Sequence, residues 1–408
     1  MHKQKITSLA LIIWFTCAFF YSLEYFIRSS TGALLDNFML APYELNTTSI
    51  ALFSSAFYWS YVASQIPAGI LVDKFGVKKV MIVSTFIFSI AILIASKATN
   101  VHSLTIYRAL AGFGGGFAFL CTLKTISIWL PNRAFPLFTG FTQLLLYIGA
   151  TLSAAPLVIL VGHYSISTIM QGVFIISLIL LMFSIFVIKI HPDFNKQNKK
   201  DRPEVNVLKN LTEILKNKQI WLNGLYCFTI YGTTVLFADL WGIRYLQLSG
   251  FSEVSAGLCT SMIFIGVAIF SPIWGVVATI FNGERRFLII APIFGLFIVV
   301  TLLYLNSNPY IAYALCILFG GVQAVHVLNY SALRNTVSPT QIATGLALVN
   351  LFLPLSGGVL QPITGAIIGH LKQTNDPLYA FQVTMLFVPA LMVLSFIIGL
   401  LIKDKVKD

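Results

Sequence analysis

Apolar residues come in long runs separated by short polar breaks. The runs cover approximately 8–33, 47–71, 79–97, 103–127, 137–161, 165–189, 220–246, 254–280, 287–305, 310–334, 341–369 and 378–402. About 20 apolar residues wound as a helix cross roughly 30 Å of hydrocarbon. The pattern therefore predicts twelve membrane-spanning helices. A barrel would show shorter segments of alternating polarity. One long polar stretch, Lys189 to Lys218, parts six runs from six. The expected organisation is an N-terminal bundle over 1–190, a cytoplasmic linker over 191–218 and a C-terminal bundle over 219–408. Apolar residues near helical spacing from Val205 to Leu215 predict a short surface helix in the linker. The first run follows a short basic segment, Met1 to Ile6. It is too long and too charged for a signal-peptide core, so it reads as a retained span.

Composition fits this picture. The 408-residue chain is 57% hydrophobic and 10% charged, against about 25% charged in soluble domains. Its formal net charge of +12 would suggest nucleic acid in a soluble protein. The positions of the charges say otherwise. With the N-terminus placed inside, nineteen Lys and Arg fall in inner segments and two, Lys97 and Lys372, in outer loops. That is the positive-inside bias of a membrane protein with both termini cytoplasmic. It predicts contact with the lipid bilayer and no nucleic-acid partner. The expected location is a bacterial cytoplasmic (inner) membrane. Cys17, Cys121, Cys227, Cys259 and Cys316 stand alone in apolar runs, without metal-ligand spacing. No metal, no cofactor and no nucleophile–base pair is legible, so an enzyme is not expected. A monomer is the expected state.

Five basic residues lie inside spans: Arg28, Arg108, Lys124, Arg244 and Arg334. A charge at the bilayer centre costs about 2.5–3.5 kcal/mol on insertion scales, so each needs a reason. Glu24 and Arg28 are one helical turn apart in the first span. They can neutralise each other, or meet a solute or a proton. Such a pair among membrane spans points to transport of a small-molecule substrate.

Between the second and third spans the chain reads G-I-L-V-D-K-F-G-V-K-K. Gly69 is expected to let helices approach and Asp73 to pair with a basic residue near a helix end. Gly76 is expected to permit a tight turn, and Lys74, Lys78 and Lys79 to hold the loop at the headgroups. This loop resembles the signature of the major facilitator superfamily at every specified position. A decayed copy, GVVATIFNGERR, follows at Gly275 to Arg286, with Thr279 where the acid belongs. Span four carries Arg108-A-L-A-Gly112-F-Gly114, similar to the superfamily's R-x-x-x-G-x-G pattern. Span five lacks the glycine–proline signature of drug antiporters. A narrower likeness, to the phagosomal nutrient transporters of intracellular bacteria, is carried by F-Y-S-L-E-Y-F-I-R-S-S-T, L-K-T-I-S-I-W-L-P and D-L-W-G-I-R-Y-L.

The resemblance implies an all-α polytopic fold of two pseudo-symmetric six-helix bundles. Spans one, four, seven and ten would line a central cavity. The candidate substrate-binding residues fall on those spans: Tyr21, Glu24, Arg28, Lys124, Tyr231, Asp239, Trp241, His326 and Asn329. Arg108 and Gly112 join the signature loop as conformational residues. Lys124 could instead snorkel to the surface, Trp241 could anchor at the interface, and His326 could be a packed core histidine. Arg28 and Lys124 would suit a carboxylate and Glu24 an ammonium or a proton. The leading expectation is proton-coupled uptake of an amino acid or related zwitterion by alternating access, with Glu24 carrying the proton. A carrier of an organic anion or carboxylate siderophore is the alternative. A non-transporting sensor is a third reading, from another class. Gly357, Gly358, Pro362 and Gly365 are expected to interrupt span eleven, as packing sites or as hinges.

Overall fold

A computed structural model describes residues 6–190, 215–281, 283–305, 308–334 and 342–403. The expected surface helix, and the linker up to residue 214, lie outside the described residues. So does the side chain of Thr279. The fold is all-helical, and eleven helices among the described residues are long and apolar enough to cross a membrane. One of these lies in a long helix, α3 (Thr47–Lys97), which is two helices meeting at Gly76. Taking its arms separately gives the twelve-helix plan. The chain divides into two compact units, Met1–Pro203 and Glu204–Asp408.

In the first unit α1 (Ser8–Ala33) and α2 (Leu35–Met39) precede α3, followed by α4 (Val101–Gly115) and α5 (Ala118–Trp129). Then come α6 (Phe135–Leu152), α7 (Ala155–Val161) and α8 (Ile166–Phe186). Side-chain caps start the helices: Thr7 accepts from the Ala10 amide and Asn46 from the Ser49 amide. Asn100 and Ser103 form a reciprocal capping box. Helix α1 packs on α5 and α6, and α3 on α4 and α8. Trp14 fixes one end of that core: its indole donates to Thr142 Oγ1 at 3.0 Å and its ring meets Phe138 edge-on.

The second unit opens with α9 (Lys218–Leu236), a π turn over Phe237–Trp241 and α10 (Gly242–Leu248), together one span. Helices α11 (Glu253–Phe281), α12 (Glu284–Val300) and α13 (Pro309–Gln323) follow. A 3-10 turn at Ala324–His326 leads into α14 (Val327–Arg334). The unit ends with α15 (Ile342–Leu371), α16 (Pro377–Met385) and α17 (Phe387–Leu401). Helix α9 packs on α15 and α17, and α11 on α13.

Large apolar side chains are exposed all along the spans, Ile70, Phe86, Phe186 and Phe297 among them. A water-soluble surface would not tolerate so many, whereas a lipid bilayer would cover them.

Two expectations about helix breakers need correction. Helix α15 runs unbroken through Gly357, Gly358, Pro362 and Gly365. Its neighbours hold it helical despite the amide that proline lacks. Gly69 faces open space, with nothing within 4 Å of where a Cβ would sit. The close approach is made by Gly112 instead, where a Cβ would strike the Phe57 carbonyl and the Ser60 hydroxyl of α3. Gly76 does what the sequence asks: its φ of 78° lies in the left-handed region that favours glycine.

Candidate functional site

The first unit buries an ion pair at the middle of α1. Glu24 is fully buried and Arg28 is 5% exposed. The guanidinium donates to Glu24 Oε1 from Nη2 at 2.6 Å and from Nε at 3.0 Å. Three rings surround the same guanidinium: Tyr61 at 4.3 Å, Tyr25 at 4.7 Å and Phe57 at 5.6 Å from its carbon. Cation–π attraction strengthens when water is excluded, to about 2 kcal/mol per ring at best. Tyr21 lies on the same helix, one turn before Tyr25, with its ring 5.2 Å from Phe119.

Glycine makes room for the acid. A Cβ at Gly115 would collide with the Glu24 side chain, and one at Gly116 with Ser64 Oγ. Span four bends just there, between α4 and α5, and Gln65 of α3 donates to the Gly116 carbonyl at 2.8 Å. The glycines of this span thus seat it against α1 and α3 at the level of the ion pair.

Arg108 supports the pair from behind. It is fully buried and donates to the carbonyls of Ile27 at 2.6 Å, Arg28 at 3.1 Å and Ser54 at 3.4 Å. Its guanidinium stacks 4.8 Å from the Phe57 ring. It ties α1 to α3 through backbone oxygens, so it sets the height of Arg28 by holding Arg28's own carbonyl. These carbonyl contacts account for its burial.

Lys124 sits elsewhere. Its ammonium pairs with Asp73 Oδ1 at 2.9 Å, and the two side chains are 32% and 42% exposed. It lies more than two turns beyond Gly115, roughly 13 Å along the helix. The expected pairing of Arg28 with Lys124 around one carboxylate therefore has no support from this geometry. The lysine bridges the end of span four to the signature loop, where Lys74 lies over Phe75 at 5.3 Å. Lys78 and Lys79 follow the Gly76 turn.

The second-unit candidates are uncharged apart from Asp239. That residue is buried in the π turn, a helix irregularity frequent at functional sites. Trp241 is fully buried, which excludes both an interface anchor and an open lid. Its indole donates to Thr364 Oγ1 at 2.9 Å and its ring packs on Phe381. His326 has Nδ1 2.8 Å from the Gln323 carbonyl, with the Tyr231 and Tyr330 rings on either side. A carbonyl at that position makes Nδ1 the protonated nitrogen of the neutral ring. Asn329 donates to the Asn223 carbonyl at 3.2 Å and lies 3.1 Å from Cys227 Sγ. These contacts tie α14 to α9.

Sequence reasoning missed Phe57 and Tyr61, the cage walls on α3, and Gln361 on α15. The aromatic run F-Y-W-S-Y in span two and a glutamine inside an apolar span were the available signals.

The family model of the Major Facilitator Superfamily matches residues 15–258 and 245–408. The chain belongs to that superfamily: it is a multi-pass membrane transporter, as its curated relatives are. One relative is the "Probable sulfoacetate transporter SauU" of Cupriavidus necator, 28% identical over 39% of this chain and 37% of that protein. Two Bacillus subtilis proteins match nearly end to end. The "Uncharacterized transporter YybO" is 24% identical over 92% of this chain and 88% of its own. The "Probable galactarate/D-glucarate transporter GudP" is 23% identical over 99% and 94%. Among solved structures, a bacterial homologue of the human lysosomal transporter Spinster, inward-facing and unoccupied, has a TM-score of 0.79. It is 13% identical over 98% of this chain and 99% of that one, a likeness of fold alone.

Proposed function

We propose that the chain carries a small organic anion, coupled to a proton, with Arg28 as the anion-binding group and Glu24 as the proton carrier. The observation that supports this reading is the buried, ring-caged Glu24–Arg28 pair. With Glu24 ionised the guanidinium is engaged by it. Protonation neutralises the acid and weakens that grip, leaving a desolvated arginine whose planar fork suits a carboxylate or sulfonate. Deprotonation restores the internal pair and expels the anion. Proton and anion thus bind together and leave together, and the cage holds the cation in place throughout.

Relatives named for sulfoacetate and for galactarate and D-glucarate favour an organic anion over an amino acid. So does the geometry: an acid held by its own arginine is poorly placed to receive an ammonium group. The protein would act by alternating access in a bacterial cytoplasmic membrane, with both termini inside.

The test is uptake into proteoliposomes of a labelled small carboxylate. An inward proton gradient should drive accumulation by the wild type. Glu24→Gln should lose uphill accumulation while keeping exchange down a solute gradient. Equal accumulation by wild type and variant would remove Glu24 from the coupling role.

A further inference from the structure

We propose that the second unit contains a hydroxyl-binding site built on Gln361 and Gln323. Resting on the anion reading above, this makes the solute a hydroxylated organic anion.

Gln361 lies on α15 and is fully buried. Among the described residues neither its Oε1 nor its Nε2 has a hydrogen-bond partner. Gln323 closes α13 and is 2% exposed. Its Nε2 donates to Thr233 Oγ1, while its Oε1 has no partner among the described residues. Both glutamines lie on helices that pack against α9. Thr233 follows Gly232, where a Cβ would meet Leu360, the residue before Gln361, at 2.6 Å. Thr364, one turn beyond Gln361, takes the indole proton of Trp241 from the other end of the same span.

Neither threonine has a proton left to donate. Thr233 gives its own to the Ile230 carbonyl at 2.7 Å, and Thr364 to Leu360 at 2.8 Å. Because the Thr233 proton is so placed, the atom of Gln323 facing it must be the donor nitrogen, which leaves Oε1 as the open acceptor. The open capacity is therefore one acceptor and the second N–H of Gln323, and one acceptor and two N–H donors from Gln361. Turning the Gln361 amide over exchanges its ends and leaves that sum unchanged.

This set selects a ligand chemistry. A buried amide atom without a partner carries the cost of desolvation with no return, so a fold that keeps three has a use for them. An apolar group would satisfy none of them. A carboxylate could use the N–H donors alone and would face two carbonyl oxygens. An ammonium could use the acceptors alone. A hydroxyl donates and accepts at once, so it can use both kinds of group that an open amide offers. A site that hydrogen-bonds a hydroxyl also discriminates strongly against the analogue without it.

The experiment uses the full-length purified protein and matched ligands. Tartrate, succinate and threitol share four carbons and carry, respectively, both kinds of group, carboxylates only and hydroxyls only. Hexarate, adipate and hexitol repeat the set at six carbons. Calorimetric titration should show the hydroxylated acid binding at least tenfold tighter than the plain acid of its length. Gln361→Leu should erase that margin and leave the plain acid unchanged. The same variant should raise the melting temperature of the ligand-free protein, because it removes a buried unpartnered amide. That rise also shows that it folds. Gln323→Leu should narrow the margin. Equal binding of the two acids by the wild type, or a margin that survives Gln361→Leu, overturns the hydroxyl site and leaves the anion reading standing. Binding of the polyol but neither acid, lost in Gln361→Leu, supports the site and overturns the anion reading. No binding by any member of either set overturns the site.

Discussion

The two units bury polarity in opposite ways. In the first, charges lie deep and are engaged: Glu24 with Arg28, and Arg108 with three backbone carbonyls. In the second, the buried polar groups are mostly amides and hydroxyls, and several amide atoms have no partner among the described residues. A buried charge without a partner is far more costly than a buried amide without one. Charge must therefore be matched within the resting fold, whereas neutral hydrogen-bonding capacity can be left open for a ligand. The signature loop and its decayed copy differ in the same sense. The first is tied to span four by an ion pair, Asp73 with Lys124. The second is tied to span ten by a hydrogen bond from Ser331 to Glu284 at 2.6 Å. Glu284 lies outside the motif's acid position, so the loop keeps an acid although Thr279 occupies that place.

The contrast can be broken most severely at Arg28. Arg28→Leu leaves Glu24 buried without its cation and should cost about 3–5 kcal/mol of stability, with loss of anion uptake. The double variant Glu24→Gln with Arg28→Leu should regain most of the stability, read as melting temperature, and none of the uptake. Arg108→Lys comes next. A lysine cannot span carbonyls on two helices, and hydrogen bonds to charged groups are worth about 1.5–3 kcal/mol. Thermal unfolding should show a loss of about 2 kcal/mol. Uptake should also fall, since the height of Arg28 depends on this contact.

Glycine packing gives a smaller and sharper test. Gly112→Ala drives a methyl into the Phe57 carbonyl and should cost about 1–3 kcal/mol. Gly69→Ala, in open space within a helix, should be neutral or stabilising by up to about 1 kcal/mol. The loop ties should matter least to stability. Asp73 and Lys124 are both partly solvated, so Asp73→Asn should shift unfolding by under about 1 kcal/mol. Glu284→Gln should shift it no more than that. A large shift from either would mean that the loops contribute to the core of their units.

Much of the architecture was legible from residue order alone. Runs of apolar residues fix helix number, because hydrocarbon admits no unpaired backbone and sets the length needed to cross it. The Gly76 turn was legible because the left-handed region excludes most side chains, and the pairing of Glu24 with Arg28 because helix geometry puts i and i+4 together. Local rules of this kind need no knowledge of distant neighbours.

What lies between helices was not legible in the same way. Lys124 and Arg28 were both candidate partners for a solute until packing put one beside Asp73 and the other inside an aromatic cage. Trp241 could have been an anchor or a lid until Thr364 was found beside it. Gly69 and Gly112 are the same residue in similar helices, and only the neighbouring backbone tells them apart. Sequence spacing determines which face of a helix a side chain occupies. What stands opposite that face depends on contacts between residues far apart in the chain, and tertiary structure alone decided those.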